Sequence, residues 1–287
     1  MRFAFAGDTH GNMKTMYQDA LDWQAANGHE INYIFQVGDF GVWPTFEDMD
    51  PSARNWSERH KVKPKKAAGD YPGLVLGEWE VPIPTYFIRG NHEDQLLLCT
   101  HEKVNQKQYP DDYLTRAIEI HPNLHYIPDG HVVEVEGVKI ASWGGCWSWK
   151  TFPMEYWGND RHMKHTNKKY GPIPYAKRLE HMTRDRYERL MREDFDILMT
   201  HDAPTGCGVV GARDVKHIDS ETLSEDQPEG TGVKFIRELI ETVQPRMHFC
   251  GHWHQYHLNQ IGETRSIVLD QIRPGKDPEF SLIVVEI

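Results

Sequence analysis

This chain has few cysteines, and their spacing is not that of a disulfide framework. Cys99, Cys146, Cys207 and Cys250 are scattered through 287 residues, and no two of them form a C-x-x-C pair. This spacing is typical of free thiols in a reducing compartment and argues against a disulfide scaffold or a thiolate zinc site. A chain of this length buries enough apolar surface to fold without such cross-links.

Long apolar runs and an excess of positive charge are also lacking. No apolar stretch is long enough to span a bilayer, and the first residues, MRFAFAGDTHG, lack the apolar core of a signal peptide. The formal net charge is −11, which argues against non-specific binding of nucleic acid or membranes by the whole surface. We therefore predict a cytoplasmic protein with no membrane partner, in which nucleic-acid binding is confined to local basic regions.

Apolar, strand-like runs alternate with helical patterns early and late in the chain, and this alternation predicts an α/β layered core. Apolar residues at helical spacing predict helices over residues 13–24 and 232–243. The stretch VVEVEGVKIASW predicts a hairpin that turns at Gly137.

Two segments interrupt this pattern, at about 41–80 and 147–192. Both are rich in aromatic and charged residues. Long segments between core strands are usually lids or binding loops. We predict that residues 1–287 form a single domain with these two lid-like insertions. A linker between two domains is the alternative, but neither segment is rich in Gly and Ser.

Five strand-like runs are followed directly by side chains that bind metals. Because the carboxyl ends of strands gather at one rim of an open α/β sheet, we expect these side chains to converge. In D-x-H and H-x-H, alternate residues of an extended segment would point to the same side. Carboxylate, amide and imidazole together suit borderline or hard divalent ions and do not select one of them. We expect Mn²⁺ first, with Fe, Zn, Ni or Mg as alternatives. The residues are Asp8, His10, Asp39, Asn91, His92, His201, His252 and His254.

The five stretches together resemble the motif set of the calcineurin-like metallophosphoesterase superfamily. That set reads D-x-H, G-D, G-N-H-[DE], H and G-H-x-H, and here it stands as GDTHG, GDF, GNHE, THDAP and GHWH between residues 7 and 254. Taken singly, each stretch would more often be a turn or a hydrogen-bonded histidine. The resemblance implies a layered β-sandwich core flanked by helices, and a hydrolase acting on phosphoric ester bonds with a binuclear metal centre.

The resemblance also implies a role for each residue. The first ion would be held by Asp8, His10 and His254, the second by Asn91, His201 and His252, and Asp39 would bridge them. His92 would not be a ligand, but would contact the phosphate or protonate the leaving oxygen. Attack on phosphorus would come from a hydroxide that the two ions share.

Arg89 is a second candidate catalytic residue. RGNHE resembles the corresponding segment of the Ser/Thr protein phosphatases, where this arginine binds phosphate. That branch carries Asp-Arg-Gly after its second motif, whereas GDFGVWP stands here. A phosphate contact and an ordinary strand-end ion pair both remain open for Arg89.

Residues around the motifs indicate the class of substrate. Aromatic and basic residues near the motifs favour a nucleotide-like or other small phosphodiester, including a cyclic nucleotide, although lid packing explains the same residues. SWGGCW, GDF and GNHE are also similar to the RNA lariat debranching branch, whose first motif carries a cysteine where this chain has Thr9. The alternatives are a phosphomonoesterase or Ser/Thr protein phosphatase-like enzyme, and a non-catalytic metal-binding interaction module.

Further residues surround the predicted ligands. Gly251 is expected to let the backbone approach the metals closely. Trp253 is expected to point away from them and to pack against core or lid, and His257 to face the opposite side of a continued strand. Asp202 and Glu93 are candidate acceptors that fix the tautomers of the histidine ligands.

Overall fold

The computed structural model describes residues 1–148, 179–210 and 232–287. Within these residues, the protein consists of two mixed six-stranded sheets that pack face to face and are flanked by helices. The α/β layered fold expected from the sequence is therefore confirmed.

The first sheet has the order β12-β1-β2-β3-β5-β4. Its central strands β1, β2, β3 and β5 are parallel, and the two edge strands β12 and β4 are antiparallel to their neighbours. The strands are β1 (Arg2–Ala6), β2 (Tyr33–Gln36), β3 (Thr85–Phe87), β4 (Ile118–His121), β5 (Leu124–Tyr126) and β12 (Leu282–Glu286).

The second sheet has the order β10-β11-β9-β8-β7-β6. Strands β11, β9, β8 and β7 are parallel, and β10 and β6 form antiparallel edges. The strands are β6 (Val132–Val135), β7 (Val138–Trp143), β8 (Ile197–Thr200), β9 (Met247–Cys250), β10 (His257–Ile261) and β11 (Thr264–Val268).

Seven α-helices lie among the described residues. Helix α1 covers the outer face of the first sheet, and α7 covers that of the second. The helices are α1 (Met13–Asn27), α2 (Pro51–Arg59), α3 (Pro64–Ala67), α4 (Tyr71–Val75), α5 (Gln95–Gln108), α6 (Arg184–Leu190) and α7 (Lys234–Val243), with 3₁₀ turns at Tyr113–Thr115 and Pro278–Phe280.

The alternation of side chains along each strand explains the layers. In β1, Phe3 and Phe5 face the second sheet, whereas Ala4 and Ala6 pack with α1. The ring of Phe5 stacks on that of Phe249 in β9, with ring centroids 3.6 Å apart. Because both faces of β1 are buried, its sequence reads as a continuous apolar run.

Most predicted elements are present. Helices α1 and α7 and the hairpin at Gly137 are confirmed. The 41–80 insertion contains α2, α3 and α4, and 179–192 contains α6. Residues 149–178 of the second predicted insertion lie outside the described residues, and the single domain stays a prediction. Across the described ranges, no helix is both long and apolar enough to cross a membrane.

Candidate metal centre

The predicted ligands stand in loops, because the strands end before the motifs begin. Strand β1 ends at Ala6 and β9 at Cys250, each two residues before the first ligand of its motif. The left-handed backbone angles φ are 45° at His10, 67° at His252 and 52° at His254. The expectation that each pair points to the same side because it lies on an extended segment was therefore wrong. They converge because the backbone turns, at a cost of about 1–3 kcal/mol for each such residue.

The first group of ligands consists of Asp8, His10 and His254. The Nε2 atoms of the two histidines lie 3.0 Å apart. Asp8 Oδ2 lies 3.0 Å from His254 Nε2 and 3.9 Å from His10 Nε2. These three atoms leave room for one ion between them.

The second group consists of Asp39, His201 and His252. His201 Nε2 lies 3.3 Å from Asp39 Oδ1 and 3.2 Å from Asn91 Oδ1. The rings of His201 and His252 have centroids 5.0 Å apart. The structure therefore brings Asn91 to the same group that the resemblance implied for it.

Asp39 connects the two groups. Its Oδ1 faces His201, whereas its Oδ2 lies 3.8 Å from His10 Nε2. The backbone N–H of His92 donates to Asp39 Oδ1 at 2.7 Å, which fixes the carboxylate. With one carboxylate oxygen near each group, Asp39 is placed where a bridging ligand would lie.

Two glycines allow the carboxylates to sit against the backbone. A Cβ atom on Gly251 would lie 2.1 Å from Asp8 Oδ1, and one on Gly90 would lie 2.1 Å from Asp39 Oδ1. The N–H of His252 donates to Asp8 Oδ1 at 3.0 Å. The backbone at Gly251 therefore lies against a predicted ligand, and Gly90 provides a second such contact. The close approach of Gly251 to the metals themselves stays a prediction.

The charges of the centre fit two divalent cations. Asp8 and Asp39 are almost completely buried, and such carboxylates need compensating positive charge. Burial opposes charge on both, but neighbouring His201 holds the pKa of each carboxyl below its usual range, that of Asp39 well below it. Burial lowers the pKa of His10 and of His252, which keeps these imidazoles neutral as metal ligands must be.

His201 receives its orientation from a backbone carbonyl. Its Nδ1 lies 2.9 Å from Val37 O, so that Nε2 faces Asp39 and Asn91. Burial opposes charge on this ring, but Asp39 raises the pKa of His201 to about 10. A dication in the second group would replace that proton. Val37 was missed because a backbone carbonyl leaves no sequence signal.

The predicted tautomer-fixing carboxylates have other partners. Asp202 accepts from the N–H groups of Trp147 and Ala203 and from Trp253 Nε1. Glu93 accepts from three successive backbone N–H groups, at residues 40–42. Burial raises the pKa of Glu93 to about 8, although these hydrogen bonds favour the charged carboxylate and oppose the rise. Both carboxylates organise loops around the centre.

His92 stands beside the metal ligands. Its Nδ1 lies 3.0 Å from Asp50 Oδ2, and its ring centroid lies 5.4 Å from that of His10. Burial opposes charge on His92, but Asp39 and Asp50 raise its pKa to about 9. Asp50 was not predicted, although Asp-Pro-Ser is a helix-start signal. Its Oδ1 caps α2 by accepting from the N–H groups of residues 52 and 53.

Arg89 does not join the centre. Its side chain is buried, and its guanidinium pairs with Asp129 and donates to the carbonyls of Leu179 and His181. The Gly-rich stretch SWGGCW also binds Asp129, because the Gly144 N–H donates to Asp129 Oδ1 at 2.9 Å. This geometry corresponds to the strand-end ion pair and corrects the phosphate-contact interpretation of Arg89.

Trp253 and His257, within and just after the GHWH motif, belong to neither of the two ligand groups. Trp253 packs against Cys207 and Cys250, as predicted. His257 belongs to neither ligand group, and its Nε2 lies 3.4 Å from Gln255 Oε1. The reason given for excluding His257 was wrong, because it begins the new strand β10.

Comparison with known proteins agrees with this geometry. Residues 1–256 match the sequence profile of the calcineurin-like phosphoesterases. The chain is 24% identical over 294 residues to a lariat debranching enzyme of Arabidopsis thaliana, covering 96% of this chain and 61% of that protein. It is 26% identical over 272 residues to the lariat debranching enzyme of Saccharomyces cerevisiae, covering 88% and 57%. The chain thus spans less than two thirds of either relative.

A solved structure is also similar along the whole chain. It is TT1561 of Thermus thermophilus, with a TM-score of 0.49 and 12% sequence identity, covering 99% of this chain and 98% of that chain. The family match covers all five motifs and both ligand groups. The chain belongs to the calcineurin-like phosphoesterase family.

Proposed function

We propose that the protein is a metal-dependent phosphodiesterase that hydrolyses nucleotide-like phosphodiesters. The observation that carries the proposal is the position of Asp39, which faces both ligand groups and also accepts the N–H of His92. A reactive phosphate held by the two ligand groups would therefore lie next to the imidazole of His92, which belongs to neither group.

Two divalent ions, with Mn²⁺ as the first candidate, would supply Lewis-acid polarisation of the phosphate and activation of water. The chain itself supplies the proton for the leaving oxygen. His92 retains a proton at neutral pH because Asp50 and Asp39 stabilise its charged form. Asp50 holds Nδ1, which leaves Nε2 to donate to the leaving alkoxide.

The charge of the site favours a diester over a monoester. A monoester dianion carries one more negative charge and is usually met by an additional cation, a role for which Arg89 was one candidate. Arg89 is buried and bound to Asp129 instead. This burial supports a diester substrate rather than that of a phosphomonoesterase or protein phosphatase.

The test compares bis-p-nitrophenyl phosphate with p-nitrophenyl phosphate. Chelator-treated protein is reloaded separately with Mn²⁺, Fe²⁺, Zn²⁺, Ni²⁺ or Mg²⁺, and Asp39→Asn serves as the inactive control. We expect metal-dependent turnover with a higher kcat/KM for the diester. A strong preference for the monoester would overturn the proposal.

Cleavage of the branch bond in RNA is the second candidate. It is favoured by the debranching relatives, whose matches cover most of this chain, and debranching is phosphodiester hydrolysis. Thr9 remains a departure from that branch. It is buried, and its hydroxyl donates to Phe40 O at 2.7 Å. A branched RNA would be cleaved much faster than its linear isomer if this candidate holds, and equal rates would reject it.

A further inference from the structure

Positive charge is concentrated in one described segment of this acidic protein. Residues 51–66 contain six Lys or Arg residues and a single Glu, although the whole chain has a net charge of −11. The segment comprises α2, the loop that follows it and most of α3. Five of its cationic side chains are exposed to solvent, namely Arg59, Lys61, Lys63, Lys65 and Lys66.

This basic segment begins at the metal centre. Helix α2 is capped by Asp50, the residue that contacts His92 at 3.0 Å. Because a helix rises about 1.5 Å per residue, Trp56 is displaced about 9 Å along α2 from that contact. At about 3.4 Å per nucleotide, a strand running from the centre along α2 would reach Trp56 within about three nucleotides.

Trp56 is unusual among the aromatic residues of the 41–80 insertion. Its side chain is 52% exposed, whereas the others pack into hydrophobic clusters, these being Trp43, Phe46, Tyr71 and Trp79. The ring of Trp56 stacks on the imidazole of His60, with centroids 4.3 Å apart and planes inclined by 24°. An exposed aromatic ring is therefore present in the same segment as the exposed lysines.

We propose that residues 51–66 form a binding surface for single-stranded nucleic acid, on one side of the bond that is cleaved. The Lys and Arg side chains neutralise phosphates, and Trp56 stacks a base, as aromatic rings in basic grooves do. A solvated basic face alone would not explain why this ring faces solvent. The inference rests on the proposed phosphodiesterase function and identifies its substrate class.

The test measures binding of a labelled oligouridylate of about a dozen nucleotides by fluorescence anisotropy, with the full chain. The charge variant replaces Lys61, Lys63, Lys65 and Lys66 by Gln. A control variant removes the same charge from four exposed lysines elsewhere, namely Lys103, Lys107, Lys139 and Lys276.

The charge variant should bind at least about tenfold more weakly, with a slope of log K against log salt that is smaller by up to about 3. Trp56→Ala should also weaken binding about tenfold, while Trp56→Phe retains most of the affinity because a ring still stacks. The control variant should bind as the wild type does. Equal losses in the control and charge variants would overturn the proposal. Unchanged affinity of the Trp56→Ala variant for the oligouridylate would overturn it as well.

Turnover of bis-p-nitrophenyl phosphate separates the two proposals. If the wild type does not hydrolyse this diester, the proposed function fails, and anisotropy still decides whether the surface binds the strand. If the wild type hydrolyses it but the charge variant binds the oligouridylate normally, only the surface is rejected. When both proposals hold, the ratio of kcat/KM for the oligonucleotide to kcat/KM for the small diester falls at least about tenfold in the charge variant.

Discussion

At the scale of single residues, Asp50 links the 41–80 insertion to the chemistry of the site. One carboxylate oxygen caps α2, and the other contacts His92 Nδ1. Because the helix cap fixes the carboxylate, the imidazole is held in one orientation with its proton retained. Asp50 therefore acts on the reaction through His92, as a positioning residue.

Asp50→Asn should lower the upper pH limit of turnover. His92 must be protonated to donate, so activity is lost as pH rises through its pKa, which is about 9 in the native site. Removing the Asp50 carboxylate stabilises the imidazolium less, and the alkaline limb of kcat moves to lower pH. The measurement is kcat as a function of pH for a dinucleotide substrate, whose leaving alkoxide must be protonated when the phosphodiester is cleaved.

His92→Ala provides the reference for that experiment. It should lower kcat for the dinucleotide by about 10²–10⁴, with a smaller loss for bis-p-nitrophenyl phosphate, whose leaving group needs little protonation. Bound metal should stay unchanged in both variants. Loss of metal from His92→Ala would show that His92 is a ligand, and an unmoved alkaline limb in Asp50→Asn would reject the positioning role.

The short motifs made the two ligand groups predictable from the sequence. They gave no indication that Asp50 would contact His92. Each ligand follows a strand-like run, so that its place on the rim can be read from local sequence. Asp50 lies 42 residues before His92, and their contact exists only because the insertion folds back on the centre. No periodicity or spacing encodes such a contact.

At the scale of secondary-structure elements, buried polar residues made helix α5 unpredictable from apolar periodicity. Helix α5 buries Gln95, Leu98, Cys99, Glu102 and Asn105 along one face. Most of these side chains are polar, and the apolar periodicity that identified α1 and α7 is therefore absent. The three-residue strand β5 shows the same limit, because it is too short for a pattern to develop.

The loops that follow the strands carry the ligands, and their glycines are the most sensitive positions. Gly251→Ala should reduce the metal content of the protein, because the new Cβ would meet the carboxylate of Asp8 at 2.1 Å. Gly73→Ala is the matched control. The nearest atom to its Cβ would be the flexible end of Glu78, at 3.0 Å, and the ring of Trp79 would lie at an ordinary contact distance of 3.4 Å.

Metal stoichiometry after dialysis, measured by elemental analysis, checks this prediction. We expect Gly251→Ala to retain less metal than the wild type and Gly73→Ala to retain as much. Full occupancy in Gly251→Ala would mean that the loop shifts to accommodate the methyl group, and that the close approach is not needed for binding.

At the scale of the whole molecule, the two sheets are joined by a buried ion pair as well as by their apolar faces. Arg89 follows β3 of the first sheet, and Asp129 accepts from Gly144, which follows β7 of the second. The sequence predicted the layers but not this junction. Strands buried on both faces show no alternation that would indicate which residues meet across the sandwich.

Arg89→Met should destabilise the protein by about 3–5 kcal/mol, because it leaves the carboxylate of Asp129 buried and unpaired. Arg2→Met is the matched control, since the Arg2–Glu286 pair is exposed and should contribute less than about 1 kcal/mol. Urea denaturation gives both values. An Arg89→Met protein of normal stability that fails to turn over diester would restore the phosphate-contact interpretation.

A buried histidine in the second sheet should make stability depend on pH. His248 lies between the hydroxyls of Thr200 and Ser266, at 2.8 and 2.9 Å, and burial lowers its pKa from 6.5 to about 3. Between these values the unfolded chain binds a proton that the folded protein does not. The free energy of unfolding therefore falls as pH falls through this window, by up to about 1.4 kcal/mol per pH unit from this group.

His248→Gln should remove that contribution. Between pH 6.5 and the onset of acid unfolding, the unfolding free energy of the variant should decline less steeply with falling pH than that of the wild type. At pH 7 the variant should be less stable than the wild type, because a buried hydrogen bond is lost. His29→Gln, at an exposed position, should keep the wild-type slope. Urea denaturation in the presence of chelator excludes the linkage that metal binding would add. Parallel pH profiles for the wild type and His248→Gln would show that His248 is protonated in the folded protein.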